Sequence, residues 1–468
     1  MSTAGPKPAR DLPSVDRLAS HHLLEPWRDV HPAVVRAARA VLDEERTARR
    51  AGGSVHGDED GLAAAAAGWL RRRLDPGPHR VLNATGIAVH TNLGRAPLGP
   101  AARAAVAAAS GYCDLEYDLG RGARGSRHDH VAPLLATLCG AEDALVTTNN
   151  AAAVLLMLSA LCRGREVLVS RGEAVEIGGG FRIPEVMRLS GARMVDVGTT
   201  NRTRAADYAA AVTARTAAIV RVHPSNFSVV GFTERPTTAE CAAVAREHGL
   251  LLLEDAGSGA LHDPARLDPG LAGEPVLDAV LAAGADLVTA SGDKLCGGPQ
   301  AGLIAGRAEL VARLRRHPLM RAVRPDKMVL AALGATLAAH LDGTAVETVP
   351  VEWMLARDPE VIEGEARAWA WTLRADGVPA DVAPGRSEAG GGSLPGTSLA
   401  TTCVTLPGPT GRLLAALRAV EPPVIARAEA GRVWLDPRTV APEDAGDLLH
   451  AVRAAWERVH GARPGRVL

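Results

Sequence analysis

Lys294 lies in the stretch LVTASGDKLCGGPQAGLIAG, between an apolar run and a Gly-Gly-Pro turn. The chain of 468 residues carries 52 lysines and arginines, and the only lysines are Lys7, Lys294 and Lys327. Arginine replaces lysine wherever charge alone is needed, but its guanidinium does not lose a proton in proteins and does not attack a carbonyl. A lysine kept in such a background is a candidate for amine chemistry. Lys7, in a proline-rich start, reads as an ordinary surface residue. Asp255 ends the apolar run LLLLED, thirty-nine residues before Lys294, which follows the run ADLVTASG. Both therefore stand at the carboxyl ends of predicted strands. A lysine that holds an aldehyde as a Schiff base, with a carboxylate that keeps a pyridine nitrogen protonated, is the pairing that pyridoxal phosphate chemistry requires. Ser291, three residues before the lysine, is placed to donate to a phosphate. The alternative is an ordinary strand-end aspartate.

Other constellations fit around this pair. In VTTNNAAAVLLML a strand ends and a helix begins at Thr148, Asn149 and Asn150, and the free N–H groups of such a junction attract an anion. Plain N-capping by asparagine is compatible with that reading. His223 ends another strand in VHPSNF, where it either stacks on a cofactor ring or fills the wall of the site. Arg321 and Arg324 are three apart in HPLMRAVRPDK and would share a helical face. With Arg95 from HTNLGRAPLG they could grip a tetrahedral oxyanion, although spacing alone favours solvated arginines. GRGARG, from Gly120 to Gly125, matches G-x-G-x-x-G, but CDLEYDL before it is too polar for a buried strand, so dinucleotide binding is not expected. His128 and His130 lack the further ligands a metal site needs.

The elements that must position these groups are legible in outline. Up to about Leu74, HPAVVRAARAVLDEERTARR and GLAAAAAGWLRRRL repeat apolar residues at helical spacing. From Val81, short β-rich runs alternate with alanine-rich helical stretches, which predicts an α/β fold with a mostly parallel sheet. Ligands collect beyond the carboxyl ends of such strands. After about Leu333 a helix and short strands predict a smaller α+β domain. The expected organisation is a helical segment over 1–78, a large domain over 79–335 and a small domain over 336–468. Six scattered cysteines without C-x-x-C pairs suggest reduced thiols, and net charge −1 neither favours nor excludes a polyanionic partner. The start has no apolar signal core and no run is long enough to span a bilayer, so a soluble cytoplasmic protein is expected.

The ordered motifs LPSVDRL, NATGIAVHTNLGRAPL, TTNNAAAVLL, SRGEAVEIGGGFRIPEVM, VGTTNRT, VHPSNFSVVGF, SGDKLCGGPQAGLI, RAVRPDK, GGGSLP and RVWLDPRTV resemble those of the bacterial selenocysteine synthase family, the L-seryl-tRNA(Sec) selenium transferases. Ala256 and Pro325 depart from the commoner Leu and Val. The resemblance implies a fold-type I pyridoxal phosphate enzyme in which Lys294 carries the cofactor. It implies that Arg95, Arg321 and Arg324 bind the phosphate of selenophosphate. It further implies that serine on the selenocysteine tRNA becomes dehydroalanyl and then selenocysteinyl, with Asp293 a candidate to assist departure of the hydroxyl. The N-terminal segment would read the tRNA, with Arg71, Arg72 and Arg73 as candidate contacts, and the chain would form a homo-oligomer, possibly a ring of dimers. A different pyridoxal phosphate lyase acting on a small amino acid or amino sugar phosphate is the main alternative. A non-catalytic tRNA-binding protein is the other.

Overall fold

A computed structural model describes residues 12–75, 77–177, 180–227 and 229–461. Lys7 lies outside the described residues. The chain forms two compact units, divided between Arg80 and Val81.

The first unit is helical. Its main elements are α1 (Val15–Ala19), α2 (His31–Arg50) and α3 (Glu59–Leu74). Val34, Ala37, Ala38, Val41 and Leu42 repeat at three- and four-residue spacing on α2, and they bury against Leu62, Ala63, Ala66 and Leu70 of α3. Asp58 starts α3 by accepting from Gly61 N at 3.0 Å. Glu45 is fully buried and accepts from Arg49, Ser54 and the N–H groups of Val55 and His56. Burial pushes its carboxyl up, but these donors outweigh burial and hold it at about 2. Arg71, Arg72 and Arg73 form the exposed last turn of α3. Arg71 lies 5.5 Å from the Trp27 ring centroid, and Arg73 lies 4.1 Å from that of Trp69.

The second unit is built on a seven-stranded sheet. Its strands are β1 (Asp143–Thr147), β2 (Glu166–Ser170), β3 (Arg193–Val197), β4 (Thr216–Val222), β5 (Leu251–Gly257), β6 (Leu287–Ser291) and β7 (Gly302–Gly306). The order across the sheet is β1-β7-β6-β5-β4-β2-β3. Neighbours pair in parallel except where β7 runs against β6 and β1. The strands are nearly all apolar because both faces are covered. Leu252 and Val288 enter the core on one face, and Leu253 and Leu287 enter the core on the other.

A four-stranded antiparallel sheet follows, with β8 (Asp381–Ser387), β9 (Leu399–Leu406), β10 (Arg427–Glu429) and β11 (Arg432–Leu435) in the order β8-β9-β11-β10. The segment leading to Arg95 is joined to this part of the chain. Leu82–Asn83 pairs in parallel with Val424–Ile425, and Val89 N donates to Ala389 O at 2.8 Å. Gly86 has φ +78°, and a Cβ there would fall 2.1 Å from Asp436 Oδ2, so only glycine fits this contact. Asp436 is buried and accepts from Ser387, Thr401 and Arg438 N. Arg438 is buried too and donates to the carbonyls of Met354, Arg357 and Ala400.

Candidate active site

Asp255 lies near the carboxyl end of β5 and Lys294 just after β6, close enough for the charge of each to act on the other. Asp255 is 2% exposed and Lys294 6%. All three side-chain hydrogen bonds of Asp255 arrive on Oδ1, from Asn150 Nδ2 at 2.8 Å, Gly257 N at 3.1 Å and Thr289 Oγ1 at 3.4 Å. Among the described residues no donor reaches Oδ2. Burial raises the Asp255 pKa, while Asn150, Gly257 and the Lys294 charge pull it down. Burial lowers the Lys294 pKa, opposed by Asp255 and reinforced by Arg95. Desolvation thus works against both charges. Among the described residues Lys294 Nζ has one hydrogen bond, to Gly392 O at 3.4 Å. Gly392 has φ +78°, and a Cβ there would lie 3.2 Å from that Nζ.

The junction at β1 is built as a helix start. The helix α4 (Asn150–Leu161) begins where Asn149 Oδ1 accepts from Ala152 N at 2.9 Å. Asn150 opens α4 and reaches across to Asp255, so the capping sequence also fixes the carboxylate. Thr148 N donates to Val323 O at 2.8 Å, which stitches the segment before Arg324 to this junction. Ser291 is buried at the end of β6.

These residues fit pyridoxal phosphate. A buried amine with a depressed pKa is suited to condense with an aldehyde. When that amine gives up its charge, a protonated pyridine nitrogen would supply Asp255 with a counter-charge. The α4 N-terminus, with Thr148, Asn149 and Asn150, offers a phosphate site.

Asp293 precedes Lys294 and accepts from Arg95 Nη1 at 2.7 Å. Arg95 itself has φ +65°, an uncommon conformation for a non-glycine residue, and lines a cavity of about 430 Å³ with Asp293. Arg321 and Arg324 line a different cavity of about 430 Å³, together with Arg124, Arg127 and Glu116. Arg324 Nη1 stands 3.6 Å from Glu116 Oε1. The two arginines do not share a helical face. The helix α5 (Leu319–Val323) ends before Arg324, which is extended at φ −72°, ψ 138° because Pro325 follows it. The GRGARG segment forms a two-residue ribbon, Tyr117–Asp118 against Ala123–Arg124, whose Arg124 reaches the same cavity. His128 is buried, and burial first, then Arg315 and Arg127, push its pKa down to about 4. His130 faces the Leu115 carbonyl at 3.2 Å.

His223 follows β4, and its N–H donates to Asp255 O at 2.9 Å. Its Nε2 stands 3.5 Å from Glu274. The sequence did not single out Glu274. Its side chain is fully buried, accepts from Leu394 N at 2.8 Å and from Ser258 Oγ, and so ties the Gly392 loop to the segment that follows β5.

A sequence model of the L-seryl-tRNA selenium transferase family matches residues 81–441. The chain is 46% identical over 462 residues to the L-seryl-tRNA(Sec) selenium transferase of Moorella thermoacetica, covering 97% of this chain and 98% of that protein. It is 46% identical over 455 residues to that of Geobacter sulfurreducens, covering 94% and 98%. Among solved structures, D-glucosaminate-6-phosphate ammonia-lyase superposes with a TM-score of 0.57 at 22% identity, over 82% of this chain and 98% of that one, a likeness of fold alone. The fold is that of the fold-type I pyridoxal phosphate enzymes. With its buried lysine and aspartate at neighbouring strand ends, the chain belongs to the L-seryl-tRNA selenium transferase family.

Proposed function

We propose that this chain converts L-seryl-tRNA(Sec) to L-selenocysteinyl-tRNA(Sec), with selenophosphate as the selenium donor. The observation that carries the reading is the buried Lys294–Asp255 pair, with Oδ2 unengaged, in a chain of this family. Pyridoxal phosphate, when bound, supplies an electron sink for negative charge at the serine α-carbon. Lys294 and Asp255 would hold it at its aldehyde and ring nitrogen, and Thr148, Asn149, Asn150 and Ser291 at its phosphate end, with His223 on the wall.

Lys294 takes the α-proton, a role favoured by the burial that lowers its pKa from the ordinary lysine value. Asp293 serves the departing β-hydroxyl, which leaves as water and gives the dehydroalanyl ester. Selenium then adds to the β-carbon, a proton returns to the α-carbon, and water releases the phosphate. Arg95, Arg321 and Arg324 are assigned to the donor's phosphate. They line separate cavities of one chain, so a homo-oligomer is the arrangement that would unite them. The helical first unit is assigned to tRNA shape recognition. No helix among the described residues is long and apolar enough to cross a membrane, and we place the reaction in the cytoplasm.

The test is incubation with seryl-tRNA(Sec), with and without selenophosphate, followed by analysis of the aminoacyl group. Dehydroalanyl ester without donor and selenocysteinyl ester with it are expected. Unchanged serine in both tubes overturns the assignment.

A further inference from the structure

VGTTNRT, HPSNF, the start of SRGE and the proline of GGGSLP converge on one cavity of about 260 Å³. Its wall includes Thr200, Asn201, Arg202, His223, Phe227 and Pro395. Its lining is tied to the candidate site at two points. His223 is bonded through its N–H to Asp255 O, and Pro395 follows Leu394, which is anchored to Glu274.

The surface beside this cavity is unusually aromatic for the chain. There are three phenylalanines in 468 residues, and two of them stand here. Phe227 is 38% exposed and Phe232 85%. The Arg202 guanidinium lies 6.0 Å from the Phe232 ring centroid, and Asn201 Nδ2 donates to Phe232 O at 2.7 Å. Exposed rings paired with an arginine, beside hydroxyl and amide groups, match the chemistry that holds an unpaired nucleobase: stacking, a cation over the ring system, and polar contacts at the edges.

The substrate of the proposed reaction fixes what must lie next to the serine. Its carboxyl is not free but is an ester of a terminal ribose, so the atoms beyond that carbonyl belong to a nucleoside. We propose that this cavity is the subsite for the terminal nucleoside of the acylated RNA, with Phe227 and the Arg202–Phe232 pair as its stacking surface and His223 and Pro395 at the ester. This rests on the reading of seryl-tRNA as substrate.

The experiment uses the full-length holoenzyme and 3′-(L-serylamino)-3′-deoxyadenosine, an amide that cannot lose its nucleoside, with serinamide as the short comparison. Inhibition constants are measured for wild type, Phe227→Ala, Phe232→Ala and Phe227→Tyr, with cofactor absorbance and sedimentation recorded for each. The nucleoside compound should bind about tenfold or more tightly than serinamide in wild type. Both alanine variants should shrink that preference with the cofactor spectrum intact, and Phe227→Tyr should keep it. Equal binding of the two compounds to wild type overturns the subsite. Alanine variants that dissociate the oligomer while keeping the preference overturn it too, because a second copy of the chain would then cover these rings. An enzyme that forms dehydroalanyl-tRNA but shows no such preference loses only the subsite, whereas one that leaves seryl-tRNA untouched loses the proposed function.

Discussion

Replacing Asp255 by Asn isolates the role of a single oxygen. The three donors that fix Asp255 all reach Oδ1, so an amide oxygen placed there keeps the bonds from Asn150, Gly257 and Thr289. The change falls on Oδ2, where an acceptor with negative charge becomes an N–H donor. A hydrogen bond to a charged group contributes about 1.5–3 kcal/mol. With each tenfold in rate worth about 1.4 kcal/mol, its loss from the transition state slows elimination by about 10- to 150-fold. Stability should change little, because the variant also removes a buried charge that burial already disfavours. The assay is single-turnover formation of dehydroalanyl-tRNA without selenium donor, with cofactor content measured spectroscopically on the same samples. A variant that keeps its cofactor and reacts within twofold of wild type would refute the assignment of Oδ2 to the ring nitrogen. A variant that unfolds would refute the claim that Oδ1 alone carries the structural bonds.

Lys294→Ala should lose the borohydride-trapped cofactor adduct, and peptide mass spectrometry should find it on Lys294 in wild type. Burial lowers the Lys294 pKa and the Arg95 cation adds to that, so Arg95→Met should move the pH midpoint of cofactor uptake upward; an unmoved or lowered midpoint counts against the electrostatic argument. Glu45 has a folded pKa of about 2 against an ordinary 4.5, so its stabilisation is complete above the ordinary value and drains away as pH falls toward 2. Glu45→Gln should therefore speed amide exchange in α2 at neutral pH and flatten its acid dependence. A chain beginning at Val81 should retain cofactor and lose tRNA affinity, as measured by filter binding; undiminished binding would remove the helical unit from RNA recognition.

Sequence patterns revealed single residues better than pairs. Lys294 stood out against an arginine background, and Asp255 ended an apolar run, so strand-end positions could be read directly. Asn150 was legible as a helix start, but its bond to Asp255 joins positions 105 apart in sequence and leaves no periodic trace. Glu274 carries no local signal at all, since its importance comes from Leu394, 120 residues away, and from His223. The spacing of Arg321 and Arg324 suggested a shared helical face, but the restriction that Pro325 places on the residue before it prevails. The pairing of Leu82–Asn83 with Val424–Ile425 involves two residues on each side, too few for alternation to show.

That small pairing has a mechanical outcome. The backbone running toward Arg95 is laced to the C-terminal part of the chain at Asn83, Gly86 and Val89, and the loop that holds the Gly392 carbonyl beside Lys294 joins β8 to β9 of that same part. Both segments beside the lysine therefore depend on one part of the chain, so a substitution at Asp436 should disturb the Gly392 carbonyl and the Arg95 backbone together.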